Sequence, residues 1–272
     1  MMSLSILLSV PVLGYVALLG YFYLFQESVV FFPRPDRGSS PLEWGIPARE
    51  FKVDSGGNSL QGWYFPAGEG AMVVHFSHGN ASTIGMLRDY TLLFHGMGMG
   101  VMVYDYRGYG QSQGKPDEAG VYEDGEATWR YLTTELGVDP RRVIFFGHSL
   151  GGGVACYLAE KFPSLALVVE GSFTSLPELG QQVYPFLPRW VGRIHFNNRS
   201  RLARLQTPVM IIHARGDEVV PLSHGEALFA AARPPKQWLE VEGGHDRGFV
   251  QAGTQAHETF RQFIQTVSQS GK

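Results

Sequence analysis

Ser149, Asp217 and His245 lie far apart in the sequence, yet together they are the residue types of nucleophilic acyl chemistry. A serine hydroxyl is a weak nucleophile until an imidazole within hydrogen-bond reach takes its proton, and a carboxylate must hold that imidazole in the right tautomer. Ser149 stands in Gly147-His148-Ser149-Leu150-Gly151, a G-x-S-x-G pattern. Glycines two before and two after the serine remove the Cβ atoms that would clash in a tight turn, so the hydroxyl is held clear of the backbone.

The elements that must position these groups can be read around them. Val143 to Phe146 is a short β-branched and aromatic run that predicts a buried strand, and Val154 to Lys161 suits a helix that stops before Pro163. Ser149 is therefore expected at a strand-to-helix turn, where free backbone N–H groups can receive a developing oxyanion. Leu150 N–H is one expected donor. The second should come from the loop closing an early strand, which is His78-Gly79-Asn80-Ala81, with Asn80 N–H as the donor.

His245 follows the last expected strand behind Gly243 and Gly244, which free the loop to present its ring. His148 adjoins the serine but points differently on the turn, and His213 lies inside a strand. His95, His195, His224 and His257 have no strand-end context and read as surface residues. Asp217 follows a buried strand through a glycine turn; Glu170, directly after the preceding strand, is the alternative acid. Asp105 precedes the serine and breaks the order serine, acid, histidine, while Asp246 is too close to His245 along the chain to reach its far nitrogen.

With 272 residues, 44% hydrophobic and 17% charged, the chain can bury one substantial core. Net charge is −3 with no basic block, which argues against a nucleic-acid partner. Cys156 is the single cysteine, so no intrachain disulfide can form, and it falls on the apolar helix after the turn. Neither C-x-x-C nor H-E-x-x-H occurs, and neither metal nor organic cofactor is expected.

From Leu4 to Phe25 the only ionisable side chains are Tyr15, Tyr21 and Tyr23, over a length that suits a membrane-spanning helix. A cleaved signal peptide is the competing reading; no Lys or Arg precedes the apolar run, and bulky aromatics stand where small residues should mark cleavage. Residues 1–27 are thus expected to be a single-pass membrane anchor. Arg34, Arg37, Arg49 and Lys52 follow it, which by the positive-inside rule favours a cytoplasmic catalytic domain. Residues 28–50, with Pro33, Pro35, Gly38, Pro41 and Pro47, read as a juxtamembrane linker, and 51–272 as the catalytic domain.

Phe51 to Asp54 and Leu60 to Phe65 bracket a β-hairpin, and from Ala71 onward strands alternate with helical patterns, predicting a mostly parallel sheet with helices on both faces. An insert at about 172–206, rich in Pro and aromatics, interrupts the alternation. It reads equally as a lid, a bilayer-touching patch or an irregular crossover packed on the sheet.

His78-Gly79-Asn80-Ala81, Asp105-Tyr106-Arg107-Gly108-Tyr109-Gly110-Gln111-Ser112, Gly147-His148-Ser149-Leu150-Gly151-Gly152, Gly216-Asp217-Glu218-Val219-Val220-Pro221 and Gly244-His245 resemble the α/β-hydrolases, and with the expected anchor the membrane-associated α/β-hydrolase-domain serine hydrolases. The resemblance covers about residues 50 to 265. It implies an eight-stranded α/β-hydrolase sheet, a catalytic triad of Ser149, Asp217 and His245, an oxyanion hole at Asn80 and Leu150, and a bracing role for Asp105 and Arg107. The expected activity is cleavage of a carboxylic ester or thioester through an acyl-enzyme on Ser149, with lipidic or acylated substrates and an acylated protein among the partners. The alternatives are a serine peptidase or amidase and a non-catalytic binding protein of the same fold.

Overall fold

The computed structural model describes residues 4–36 and 39–270, with side chains from Val10 onward; Arg37 and Gly38 lie outside the described residues. Two helices, α1 (Leu4–Leu24) and α2 (Gln26–Val30), lead into the sheet strands β1 (Arg49–Ser55), β2 (Asn58–Phe65) and β3 (Val73–Ser77). Then follow α3 (Arg88–Gly96), β4 (Gly100–Tyr104), α4 (Glu118–Arg130), β5 (Val143–His148), α5 (Leu150–Lys161) and β6 (Ala166–Glu170). The insert holds α6 (Leu176–Val183) and α7 (Asn198–Leu202), after which come β7 (Val209–Ala214), α8 (Leu222–Ala231), β8 (Lys236–Val241), α9 (Gly248–Gln251) and α10 (Gly253–Ser270).

The eight strands form one sheet in the order β1-β2-β4-β3-β5-β6-β7-β8, antiparallel at β1-β2 and β2-β4 and parallel thereafter. Strands β3, β4, β5, β6 and β7 are buried along their whole length, as expected where helices cover both faces. Side chains alternate between two cores. Phe145, Met102 and Val169 face one with Val154 of α5, while Phe146, Val103 and Val168 face the other with Phe94 of α3 and Phe260 of α10. This pattern puts the C-terminal ends of β5, β7 and β8 at one rim, where Ser149, Asp217 and His245 follow them.

The N-terminal segment departs from expectation. Leu4–Leu24 is helical, but among the described residues no helix is long and apolar enough to cross a membrane. The C-terminal half of α1 touches the insert at three side chains: Tyr15 Oη donates to the Phe186 carbonyl at 2.7 Å, the rings of Phe22 and Tyr184 lie 5.5 Å apart, and the Arg193 guanidinium sits 4.9 Å from the Tyr23 ring. The single-pass anchor, the membrane location and the cytoplasmic orientation inferred from it are therefore not supported.

The following arm is also packed. Phe31 is 3% exposed and meets Phe196 of the insert, with ring centroids 6.3 Å apart. The insert itself folds back across the rim and is tied to α4, where Glu118 accepts from the backbone N–H groups of His195 and Phe196 at 2.6 and 2.7 Å.

Candidate active site at the sheet rim

Ser149 occupies the turn between β5 and α5 with φ +53° and ψ −118°, a region that costs a non-glycine residue about 1–3 kcal/mol. Its neighbours show why the turn holds. A Cβ on Gly147 would lie 2.3 Å from the Gly151 carbonyl oxygen, and one on Gly151 would lie 2.0 Å from that of Ser77. Only glycines let α5 begin this close to β3 and β5. The Ser149 N–H donates to the Glu170 carbonyl at 2.9 Å, fixing the turn against β6.

Ser149 Oγ lies 2.8 Å from His245 Nε2, and His245 Nδ1 lies 2.8 Å from Asp217 Oδ2. The other Asp217 oxygen accepts from the N–H groups of Val219 and Val220 at 2.9 and 2.7 Å. Burial alone would raise the Asp217 pKa, but the hydrogen bonds from His245 and Val220 outweigh it and hold the carboxyl below its usual range. Burial likewise would lower His245, whose side chain is 6% exposed, yet the Asp217 carboxylate lifts its pKa above the ordinary imidazole value. Asp217 therefore holds Nδ1 as a donor and leaves Nε2 free to accept from Ser149.

Leu150 is the first residue of α5, so its N–H has no acceptor within the helix. Gly79, on the opposing loop, comes so close that a Cβ there would sit 3.3 Å from Ser149 Cβ and 2.8 Å from His148 Nδ1. The Asn80 side chain is fully engaged. Its amide nitrogen donates to Val30 O at 2.6 Å, and its oxygen accepts from Phe32 N at 2.9 Å, Ala81 N at 3.0 Å and Tyr109 Oη at 2.7 Å.

The other candidates have different surroundings. His148 Nε2 donates to the His245 carbonyl at 2.9 Å, so it steadies the loop that carries the imidazole. Glu170 is 2% exposed, and its oxygens accept from Tyr90 Oη at 2.8 Å and Phe249 N at 3.0 Å, bracing the segment after His245. His213 donates to Val220 O at 2.9 Å within the core. His224, expected at the surface, is 3% exposed and bonded to Thr174, because the insert covers it. Asp105 accepts from Ile84 N at 2.9 Å, and burial pushes its pKa up to about 7; Arg107 pairs with Asp124 at 2.8 Å. Both act on loop geometry and stand apart from Ser149. Among the described residues no group of three His, Cys, Asp or Glu side chains could hold a metal ion.

A cavity of about 340 Å³ opens beside Ser149 and Leu150. The insert forms one wall with residues such as Leu176, Leu179 and Leu187, and the N-terminal arm forms another with Phe22, Val29 and Val30. Sequence reasoning missed the arm as a wall and Gln26 as its fastening. The signal available was Phe31 and Phe32 in the stretch read as a juxtamembrane linker.

A family model described as "Serine aminopeptidase, S33" matches residues 68–199, from just before β3 into α7. The chain is 36% identical over 192 residues to human alpha/beta hydrolase domain-containing protein 17B, covering 70% of this chain and 65% of that one. Among solved structures, the Pyrococcus furiosus esterase Pf2001 superposes with a TM-score of 0.73 at 18% identity, covering 87% of this chain and 97% of that one. An α/β hydrolase of Vibrio vulnificus gives 0.66 at 20% identity, covering 87% and 97%. At such identities the structures speak for the fold alone. The uncharacterised protein Rv2307c of Mycobacterium tuberculosis is 34% identical over 281 positions that cover 100% of both chains. With this sheet order and these relatives, the protein belongs to the α/β-hydrolase superfamily as one of its hydrolases.

Proposed function

We propose that this hydrolase cleaves carboxylic esters, with thioesters as the related leaving-group class, through an acyl-enzyme on Ser149. The observation that carries the reading is the 2.8 Å contact of Ser149 Oγ with an imidazole whose other nitrogen is 2.8 Å from a buried carboxylate. Ser149 Oγ attacks the acyl carbon while its proton passes to His245 Nε2. The N–H groups of Leu150 and Asn80 receive the charge that develops on the carbonyl oxygen. The tetrahedral intermediate then collapses, the proton moves from His245 to the leaving oxygen or sulfur, and the alcohol or thiol departs. Water repeats the sequence on the acyl-serine and releases the carboxylic acid.

The cavity supports an acyl substrate over a peptide. Its lining is mainly aliphatic and aromatic, and three of its polar side chains bond within the protein: Gln26 to the insert backbone, Asn80 to the arm, and Gln181 Oε1 to Arg189 Nε at 2.5 Å. The family-model description raises an aminopeptidase as the second reading, but among the described residues no Asp or Glu lines the cavity to pair with a substrate's amino terminus. An acylated protein as partner finds no support in the fold or the relatives.

Purified enzyme should hydrolyse p-nitrophenyl acyl esters and leave an aminoacyl p-nitroanilide and a dipeptide amide untouched, with Ser149→Ala abolishing ester turnover. Faster cleavage of the amides than of any ester would replace this reading with the peptidase one, and binding without turnover of either would leave a non-catalytic module.

A further inference from the structure

The arm that follows α1 is bolted to the site at both ends. Gln26, 8% exposed, donates through Nε2 to Val191 O at 3.2 Å and accepts through Oε1 from Arg193 N and Ile194 N at 2.6 and 2.7 Å, so three backbone groups of the insert close on one side chain. At the other end Asn80 grips Val30 O and Phe32 N, and Gly110 N donates to Arg34 O at 2.8 Å. A buried amide with this many partners fixes register, because leaving any of its groups unpaired costs more than the bond itself contributes. Phe22, on the last turn of α1 before the first bolt, and Val29 and Val30 between the bolts face the cavity that Ser149 also lines.

We propose that this arm is the acyl-specificity wall of the enzyme, and that the preferred substrates are esters of apolar acyl chains longer than butyryl. The inference rests on the ester-hydrolase reading above and assigns the chain-binding role to Phe22, Val29 and Val30. Two observations set the class. A cavity of about 340 Å³ lined mainly by aliphatic and aromatic carbon gains little from an acetyl group, which leaves most of its lining without contact. Among the described residues the one charged lining side chain is Arg189, which is exposed and donates through Nε to Gln181 Oε1, so the aliphatic walls themselves carry no charge for a chain to pair with. Gly180 on α6 faces the same cavity, with nothing within 4 Å of where its Cβ would be, which makes the wall adjustable from the insert side as well.

The test is the kcat/KM profile of the full chain across p-nitrophenyl acetate, butyrate, octanoate and laurate. Wild type should favour octanoate or laurate. Val29→Trp fills the cavity from the arm and Gly180→Leu fills it from the insert. Each should lower the octanoate-to-acetate ratio by about tenfold or more, chiefly through KM, since one methylene group of misfit in an apolar pocket is worth at least that much. Ser28→Trp, at an exposed arm position outside the cavity, should leave the ratio at the wild-type value. Circular dichroism and fluorophosphonate labelling identify any variant that fails to fold, and the two filling variants back each other. A wild-type profile that peaks at acetate or butyrate overturns the proposal. So does a ratio unmoved by Val29→Trp, or one moved equally by Ser28→Trp. Failure of wild type to hydrolyse any ester sinks the ester-hydrolase reading instead, so the two failures are distinct.

Discussion

The strained turn at Ser149 makes a stability prediction that is separable from catalysis. Two inactive variants isolate it. Ser149→Ala removes the hydroxyl and its bond to His245 but keeps a Cβ at φ +53° and ψ −118°; Ser149→Gly removes the hydroxyl and the Cβ together. The lost hydrogen bond cancels between them. Relief of the backbone conformation favours glycine by about 1–3 kcal/mol, while the extra freedom of glycine in the unfolded chain opposes it by about 0.4–1 kcal/mol. Ser149→Gly should therefore be more stable than Ser149→Ala by up to about 2.6 kcal/mol, about 1.3 kcal/mol at the middle of those ranges, and for a chain of this size each kcal/mol raises the melting temperature by about 2–4 °C. Urea titrations at one pH, followed by tryptophan fluorescence and by circular dichroism, read the difference directly. A Ser149→Gly midpoint at or below that of Ser149→Ala would refute the claim that the turn stores strain for the sake of presenting the hydroxyl.

Four further outcomes follow from the same geometry. His245 must be neutral to accept the serine proton and its pKa lies above 6.5, so ester kcat/KM should rise with pH along a limb whose midpoint is above that value. Asp217→Asn should cut kcat by about 10⁴. It should also move the residual limb to lower pH, because burial without the carboxylate depresses the imidazole; an unmoved limb in the pH–rate profile would contradict this. Asp105 has its pKa raised from 3.8 to about 7, so the folded state holds that proton more tightly and the associated stability, full below pH 3.8, is lost as pH rises toward about 7. Asp105→Asn should flatten denaturant midpoints across that window, and an unchanged slope would show that the buried carboxyl does not titrate there. Gly151→Ala would place a methyl group 2.0 Å from the Ser77 carbonyl oxygen, backbone against backbone, and should cost at least the ~1–3 kcal/mol of an overpacked core; a wild-type melting temperature would refute the close approach.

The parts of the molecule legible in the sequence are those where steric demand leaves one residue type. Gly147 and Gly151 could be read because a turn that tight admits nothing larger, and the strands could be read because their alternate side chains enter two different cores. Helix α5 starts at Leu150, four residues earlier than the apolar pattern implied. Gly152 and Gly153 look like poor helix formers, but a Cβ on them would lie 2.4 Å from Ser172 Oγ and 2.3 Å from Phe196 Cδ1. Tertiary packing overrides propensity there. The N-terminal segment was illegible for the opposite reason. Apolarity from Leu4 to Phe25 states that water is unfavourable and leaves open whether the alternative is hydrocarbon or another face of the protein. Phe22 packs beside Tyr184 of the insert, the second case, while Tyr15 and Tyr23 touch the insert and stay 41% and 43% exposed. Gln26 and Asn80 have their roles through partners more than forty residues away, which local pattern cannot reveal.

If Ser149 becomes a nucleophile because His245 and Asp217 converge on it, peptide mapping by mass spectrometry after brief exposure of the folded protein to a fluorophosphonate should find one adduct, on Ser149, formed rapidly in wild type and slowed by orders of magnitude in His245→Ala. An unmodified Ser149, or labelling that persists undiminished without the imidazole, would contradict it.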